Sequence, residues 1–163
     1  MQPLLLLWLA GAVFCDLRWR KVPNLLVLAG MVGALLSLAF GAALPGLDWP
    51  AALVGAGAAF AVLLPFYALG LMGAGDVKFA AALGLWVGLA PLAPIAIVGS
   101  LLAFAHALAV LALRRWPLFP RLMLALSGRN ADGAASPSAH RPIPYAAYLA
   151  LAALGWLAWR VPQ

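Results

Sequence analysis

The chain has 163 residues, of which 67% are hydrophobic and only 9% are charged, whereas soluble domains carry about 25% charged residues. This composition excludes an ordinary soluble domain, and the length allows one domain, so we predict a single integral membrane domain over residues 1–163. The net charge of +6 does not indicate a nucleic-acid partner, because the basic residues lie between apolar runs. The single cysteine, Cys15, excludes an intrachain disulfide and a cysteine-rich zinc site.

Apolar runs predict an all-α polytopic protein with six transmembrane helices. A membrane helix needs roughly 20 mostly apolar residues. The first run is short, and we interpret it as a retained span rather than a cleaved signal because no basic segment precedes it. Its strictly apolar part ends at Cys15, so Asp16 is expected just inside the membrane boundary. The predicted spans cover residues 3–19, 24–43, 51–72, 77–90, 95–113 and 143–159.

Turn signals separate these spans. Pro23 disfavours helix in the residue before it, and Asn24 is a candidate N-cap for the second span. Residues 44–50, 73–75 and 90–94 are predicted turns, and Pro65 is expected to kink the third span. The polar stretch 114–142 is predicted to be a flexible loop with one amphipathic piece at 118–126. Five tryptophans near span ends are predicted interfacial anchors: Trp8, Trp49, Trp86, Trp116 and Trp159.

The lysines and arginines divide unevenly between the two sides of this arrangement. Nine lie in the loops that follow spans one, three and five or at the span ends next to these loops, and one, Arg160, lies on the other side. Because cytoplasmic loops are enriched in basic residues, we predict that both termini lie outside the cytoplasm. The nine are Arg18, Arg20, Lys21, Lys78, Arg114, Arg115, Arg121, Arg129 and Arg141.

Two of the four acidic residues adjoin apolar spans on the predicted cytoplasmic side. These are Asp16, which closes span one, and Asp76, which opens span four. An ionisable residue in a membrane span is by default a functional candidate. Two carboxyl groups brought together at low dielectric cannot both ionise cheaply, so one retains its proton. The charged partner can then activate a water and the neutral one can protonate a leaving amine.

The two glycines before Asp76 allow backbone conformations that a Cβ would disfavour. Gly73 and Gly75 flank Ala74, and the lack of Cβ atoms would let a substrate strand approach Asp76 closely. Irregular backbone at membrane depth is tolerated only beside protein or a water-filled cavity. Alternatively, these glycines form a plain turn or a close-packing patch between helices.

The acids also have alternative interpretations. Asp16 could pair with the neighbouring basic residues at the interface, and Asp76 could cap a helix. A proton-coupled transporter is the second function that uses both acids. Such transporters usually contain an internal repeat, and none relates residues 1–80 to 81–163. The two histidines are interpreted as structural: His106 as packed between helices, and His140 as a solvated loop residue.

Three segments resemble the type IV prepilin peptidases, a class of GxGD intramembrane aspartyl proteases. "GAGDVK" at 73–78 resembles the GxGDxK signature, and "DLRWRKVPN" at 16–24 resembles the segment with the first aspartate. "PIPYAAYLALAALG" at 142–155 resembles the final span, which opens on a Pro-Tyr pair. The segments occur in the order of that family and together cover nearly the whole chain.

The resemblance implies a function and site residues. Asp16 and Asp76 would be the catalytic pair that removes a short basic leader from prepilin or pseudopilin precursors. The cut would follow a glycine just before the hydrophobic pilin helix, at the cytoplasmic face of a bacterial inner membrane. Lys78, the motif lysine, would stabilise the negative charge of the site or of an acidic group on the substrate. Alternatively, its side chain only extends to the lipid surface. The supporting motif residues are Gly73, Gly75, Pro23, Asn24, Pro144 and Tyr145, where Pro144 is alternatively a simple first-turn proline.

The sequence also departs from the long members of that family. Those members carry an N-terminal cytoplasmic domain with paired cysteines, linked to zinc and to N-methylation. Here the first span begins at once without a cysteine pair, so the chain resembles the short form. We expect no metal, cofactor or nucleic-acid partner; the expected partners are the precursor substrate and the lipid bilayer. Three basic residues would repel a basic leader and are expected to fix topology: Arg18, Arg20 and Lys21.

Overall fold

The computed structural model describes residues 2–115 and 144–160, which are helical except for short connections. Over these residues the all-α prediction is confirmed. The amphipathic piece at 118–126, Trp116 and His140 lie outside the described residues. The helices are α1 (Gln2–Trp19), α2 (Asn24–Ala39), α3 (Trp49–Ala68), α4 (Ala74–Val87), α5 (Leu89–Arg115) and α6 (Tyr145–Arg160).

Glycines in the left-handed region end α2 and α3 about four residues earlier than predicted. Gly41 follows the end of α2 with a φ of +63°, and the Ala42 N–H donates to the Ser37 carbonyl at 2.8 Å. Gly70 ends α3 in the same way with a φ of +71°. This arrangement satisfies carbonyls that the helix leaves without partners, and it favours glycine at the left-handed position.

The starts of α2 and α3 differ in how they are capped. Asp48 caps α3, since its Oδ1 accepts from the Ala51 N–H at 2.9 Å. The prediction that Asn24 caps α2 is wrong. Asn24 is the first helical residue, Pro23 occupies the cap position, and no side-chain bond caps this helix. The Asn24 side chain instead accepts a hydrogen bond from Lys78.

The predicted turn at residues 90–94 is also wrong. The chain turns at Gly88, which has a φ of +76°, and α5 begins at Leu89. Pro91 lies in the first turn of α5, where backbone N–H groups have no partner within the helix and proline is tolerated. Pro94 lies further inside α5, as Pro65 does inside α3.

Helix α4 lies at the centre of the bundle and packs against α2, α3, α5 and α6. All nine of its residues from Phe79 to Val87 are buried. Trp86 is one of them, and Trp8 of α1 is only 5% exposed and stacks on Phe79 at 4.9 Å between ring centroids. The prediction that Trp8 and Trp86 are interfacial anchors is therefore wrong, because both rings fill the core beside glycines of α2.

The outer surface of the bundle is apolar. Helix α3 and residues Leu89–Ala112 of α5 are long and apolar enough to cross a membrane. Only 17% of each apolar window is buried inside the bundle, whereas a core helix of a soluble protein would be mostly buried. Large exposed side chains such as Leu7, Leu25 and Trp159 continue this surface over the other helices, as a lipid-facing surface requires.

Candidate functional site

Asp76 is the third residue of α4 and is held by the start of its own helix. Its Oδ2 accepts from the N–H of Gly73, the cap residue, at 3.3 Å. A Cβ on Gly73 would lie 3.3 Å from the same oxygen, so a side chain there would crowd the carboxyl group. A Cβ on Gly75 would lie 3.7 Å from the Val22 carbonyl oxygen, which is an ordinary contact distance. The alternative that Asp76 is the N-cap of α4 is wrong, because Gly73 holds that position; Asp76 is the N3 residue of a capping box and uses one of its two carboxyl oxygens for it.

Asp16 lies in the last turn of α1 and is almost completely buried, at 3% exposure. Its Oδ2 accepts from the backbone N–H of Ala147 at 2.8 Å. Ala147 is 131 positions away in the sequence, so this bond attaches the end of α1 to the start of α6. The backbone N–H of Arg20, one turn further along the chain, donates to the Asp16 carbonyl at 2.8 Å.

The two aspartates meet at the N-terminus of α6. The second oxygen of Asp76, Oδ1, accepts from the Ala146 N–H at 3.1 Å, and Asp16 binds the next N–H along the chain. The first N–H groups of a helix have no acceptor within the helix and carry the positive end of its dipole. Carboxyl groups from α1 and α4 accept from two consecutive N–H groups at this helix start.

This arrangement brings two carboxyl groups from different helices onto adjacent N–H groups of a third helix. It can share one proton, and it can offer a base and an acid to the same bound molecule. Within residues 2–115 and 144–160, no group of three or more His, Cys, Asp or Glu side chains could hold a metal ion.

The start of α6 is fixed by its neighbours in the sequence and in space. Pro144 is buried and directly precedes the helix, and its carbonyl accepts from the Tyr148 N–H at 3.3 Å. Pro144 thus holds the cap position before the helix and not the first-turn position that the simpler interpretation predicted. The Tyr145 hydroxyl forms a hydrogen bond of 3.2 Å with Ser100 Oγ in α5. Both residues therefore hold the two N–H groups that the aspartates bind.

The remaining motif residues connect α2 to α4. Lys78 is exposed, and its Nζ donates to Asn24 Oδ1 at 3.4 Å. Pro23 precedes Asn24 in extended conformation, with φ of −61° and ψ of 138°. The "VPN" and "GDVK" segments are thus in contact beside the carboxyl pair. A direct role of Lys78 toward substrate stays a prediction.

Sequence reasoning missed the groups on which both carboxyls converge. They are the backbone N–H groups of Ala146 and Ala147, and alanine side chains carry no chemical signal. The available signal was the position: two small residues directly after the Pro-Tyr pair at a helix start. A contact between the rings of His106 and Tyr148, 5.7 Å apart, was also missed, although His106 itself was expected to pack between helices.

We expect the Tyr145–Ser100 hydrogen bond to stabilise the α5–α6 contact modestly. Tyr145→Phe and Ser100→Ala should each lower the free energy of unfolding by about 0.5–1.5 kcal/mol, and the double variant should lose little more. Unfolding in detergent, followed for all four proteins, measures this coupling. Strictly additive losses would show that the two hydroxyls do not interact.

Comparison with known proteins agrees with the motifs. A sequence model of the type IV leader peptidase family matches residues 3–108. This range contains α1–α4, most of α5 and both aspartates, whereas α6 follows it. No curated protein and no solved structure matches the chain significantly. The match covers more than half of the chain and confirms the resemblance drawn from the motifs: the chain belongs to the type IV leader peptidase family and is a peptidase of that kind.

Proposed function

We propose that the protein is an aspartyl endopeptidase that removes the leader peptide from type IV prepilin-like precursors. The observation that carries this proposal is the convergence of Asp16 and Asp76 on consecutive N–H groups of α6. An aspartyl protease needs two carboxyl groups that share a proton. No other pair of acids lies together in the part of the chain that the structure describes.

The proposed setting is a bacterial inner membrane that the chain crosses six times as one domain, with both termini outside the cytoplasm. The nine-to-one distribution of basic residues supports this orientation. The carboxyl pair lies at the end of the bundle where α1 ends and where α4 and α6 begin. In the proposed orientation this is the cytoplasmic end, where a basic leader would emerge from the bilayer.

The proposed reaction is hydrolysis of one peptide bond by water. The charged carboxylate takes a proton from water as its oxygen adds to the carbonyl carbon, and the neutral carboxyl gives its proton to the carbonyl oxygen. In the second half the first carboxyl, now protonated, gives its proton to the amide nitrogen. The other takes a proton from one hydroxyl as the C–N bond breaks, which returns both groups to their starting states.

The substrate class follows from the family and from the position of the site. Such precursors combine a basic leader with an apolar helix. We propose that the helix lies along the lipid-facing surface and that the end of the leader binds beside the two carboxyl groups. Cleavage after a glycine would suit a narrow site between helix ends, because glycine brings no side chain. Lys78 and Asn24 lie beside the site and are proposed to position the chain that enters it.

Incubation of membranes containing this protein with a prepilin tests the proposal. We expect a shortened product whose new N-terminus follows the leader glycine, measured by mass spectrometry. A prepilin with that glycine replaced by a bulky residue serves as the control and should remain intact. Membranes without the protein should leave both precursors uncut. Intact wild-type prepilin after incubation with folded protein would contradict the proposed substrate.

The second candidate, a proton-coupled transporter, receives no support from the family match. It predicts proton uptake into proteoliposomes without peptide cleavage. Assays of proton uptake and of peptide cleavage on the same purified protein therefore distinguish the two functions.

A further inference from the structure

A cavity of about 450 Å³ lies at the end of the bundle opposite the carboxyl pair. Among the described residues, it is lined by Pro3 and Leu5 of α1, by residues 42–45 between α2 and α3, and by Trp86 of α4. None of these residues is charged. Leu5 and Trp86 are buried, whereas Pro3 and Pro45 are exposed, so the cavity has a buried floor and an open rim. Apolar cavities of this size with a few polar groups are typical binding sites for small molecules.

The indole N–H of Trp86 is a buried donor without an acceptor. Trp86 is 4% exposed, and its Nε1 has no hydrogen-bond partner among the residues that the structure describes. Trp8, which stacks on Trp86, differs in this respect, because its Nε1 donates to the Leu26 carbonyl at 2.8 Å. Buried polar groups nearly always have a partner, either in the protein or in a bound molecule. The cavity that Trp86 lines provides space for a molecule with the missing acceptor.

The surroundings of the cavity indicate what kind of molecule this is. Leu4 and Leu6, on either side of Leu5 in the sequence, are exposed, and so is Phe40 at the end of α2. These side chains belong to the apolar outer surface, so an occupant that enters from this surface needs an apolar body. It must also carry an acceptor, because an indole N–H can only donate. A phospholipid has both features, since its ester carbonyls are uncharged acceptors next to its acyl chains.

We propose that this cavity binds one phospholipid of the surrounding bilayer, with an ester carbonyl accepting from the Trp86 N–H. Part of an acyl chain then lies against Leu5 and residues 42–45. Because the lining residues are uncharged, the affinity depends on the carbonyl and the chain and not on the charge of the headgroup. The site lies away from the carboxyl pair and takes no part in the proposed hydrolysis, so lipid binding and peptide cleavage are tested separately.

Lipid binding to the purified full chain in detergent tests this proposal. Native mass spectrometry gives the dissociation constants for an ester-linked phosphatidylethanolamine and for its ether-linked analogue, which lacks the carbonyls. The parent protein should retain one ester lipid and bind the ether lipid about two- to tenfold more weakly, as expected for the loss of one neutral hydrogen bond. Trp86→Phe should bind both lipids equally weakly, because the donor is gone. Trp159→Phe, which changes an exposed tryptophan outside the cavity, should behave as the parent does.

A bulky side chain in the cavity provides the second test. Ala43→Phe should fill the space and weaken binding of both lipids at least tenfold, and normal binding by this variant would place the lipid elsewhere. Equal affinity of the parent for the ester and ether lipids would mean that water, or nothing, pairs with the Trp86 N–H. Tighter binding of phosphatidylglycerol than of phosphatidylethanolamine would indicate a basic surface instead of this cavity. If either variant does not fold, the comparison of ester with ether lipid in the parent decides.

Discussion

Asp16→Asn and Asp76→Asn should each abolish leader removal, with a fall in rate of about 10³-fold. Asparagine keeps the size of aspartate and retains an oxygen that can accept the N–H of Ala147 or Ala146. The start of α6 should therefore stay in place and the protein should fold. The amide cannot exchange a proton with water or with a peptide, so the loss should appear in kcat. Cleavage of a purified prepilin, together with thermal unfolding, measures both effects.

Asp48→Asn is the matched control for these variants. Asp48 caps α3 through its Oδ1, and asparagine is about as good a helix cap as aspartate. This variant should retain both stability and cleavage. If Asp16→Asn or Asp76→Asn cleaves at a rate comparable to the parent, the aspartyl mechanism is wrong. If either variant unfolds, its carboxyl group is needed for the fold and Asp76→Glu or Asp16→Glu becomes the informative comparison.

The sequence predicted the helices well because long apolar runs leave few alternatives. The prediction failed where backbone conformation decided the end of a helix. Gly41, Gly70 and Gly88 each take a positive φ, and each moved a boundary by several residues. Pro91 and Pro94 looked like turn signals, but the chain had already turned at Gly88. Pro91 lies in the first turn of α5, where proline is tolerated, and Pro94 lies inside that helix.

The candidate site was also predictable only in part, because side chains mark one part of it and backbone groups form the other. Asp16 and Asp76 were conspicuous because acids are rare in apolar sequence. The groups that bring them together are backbone N–H groups of Ala146 and Ala147, which every residue but proline carries.

The position of α4, which carries Asp76, depends on a contact that was not predicted. Gly55 of α3 and Gly84 of α4 face each other so closely that a Cβ on Gly84 would lie 2.5 Å from the Gly55 backbone. A Cβ on Gly55 would lie 2.7 Å from the Gly84 carbonyl oxygen. Small residues at such spacing allow membrane helices to pack backbone to backbone, and both atoms met here are backbone atoms that cannot rotate away.

Gly84→Ala should therefore destabilise the protein by about 1–3 kcal/mol, and Gly84→Val by more, because α3 and α4 must separate. Leader cleavage should fall as well, since the shift moves Asp76 relative to Asp16. Gly57→Ala, in the same helix as Gly55, is the control: a Cβ there meets nothing within 4 Å. Alanine is also the better helix former by about 1 kcal/mol, so this variant should be neutral or stabilised. The same gain in helix propensity applies to Gly84→Ala, so a loss of stability in that variant would measure the contact between the helices. Equal stability of the two variants would show that α3 and α4 are not packed this closely.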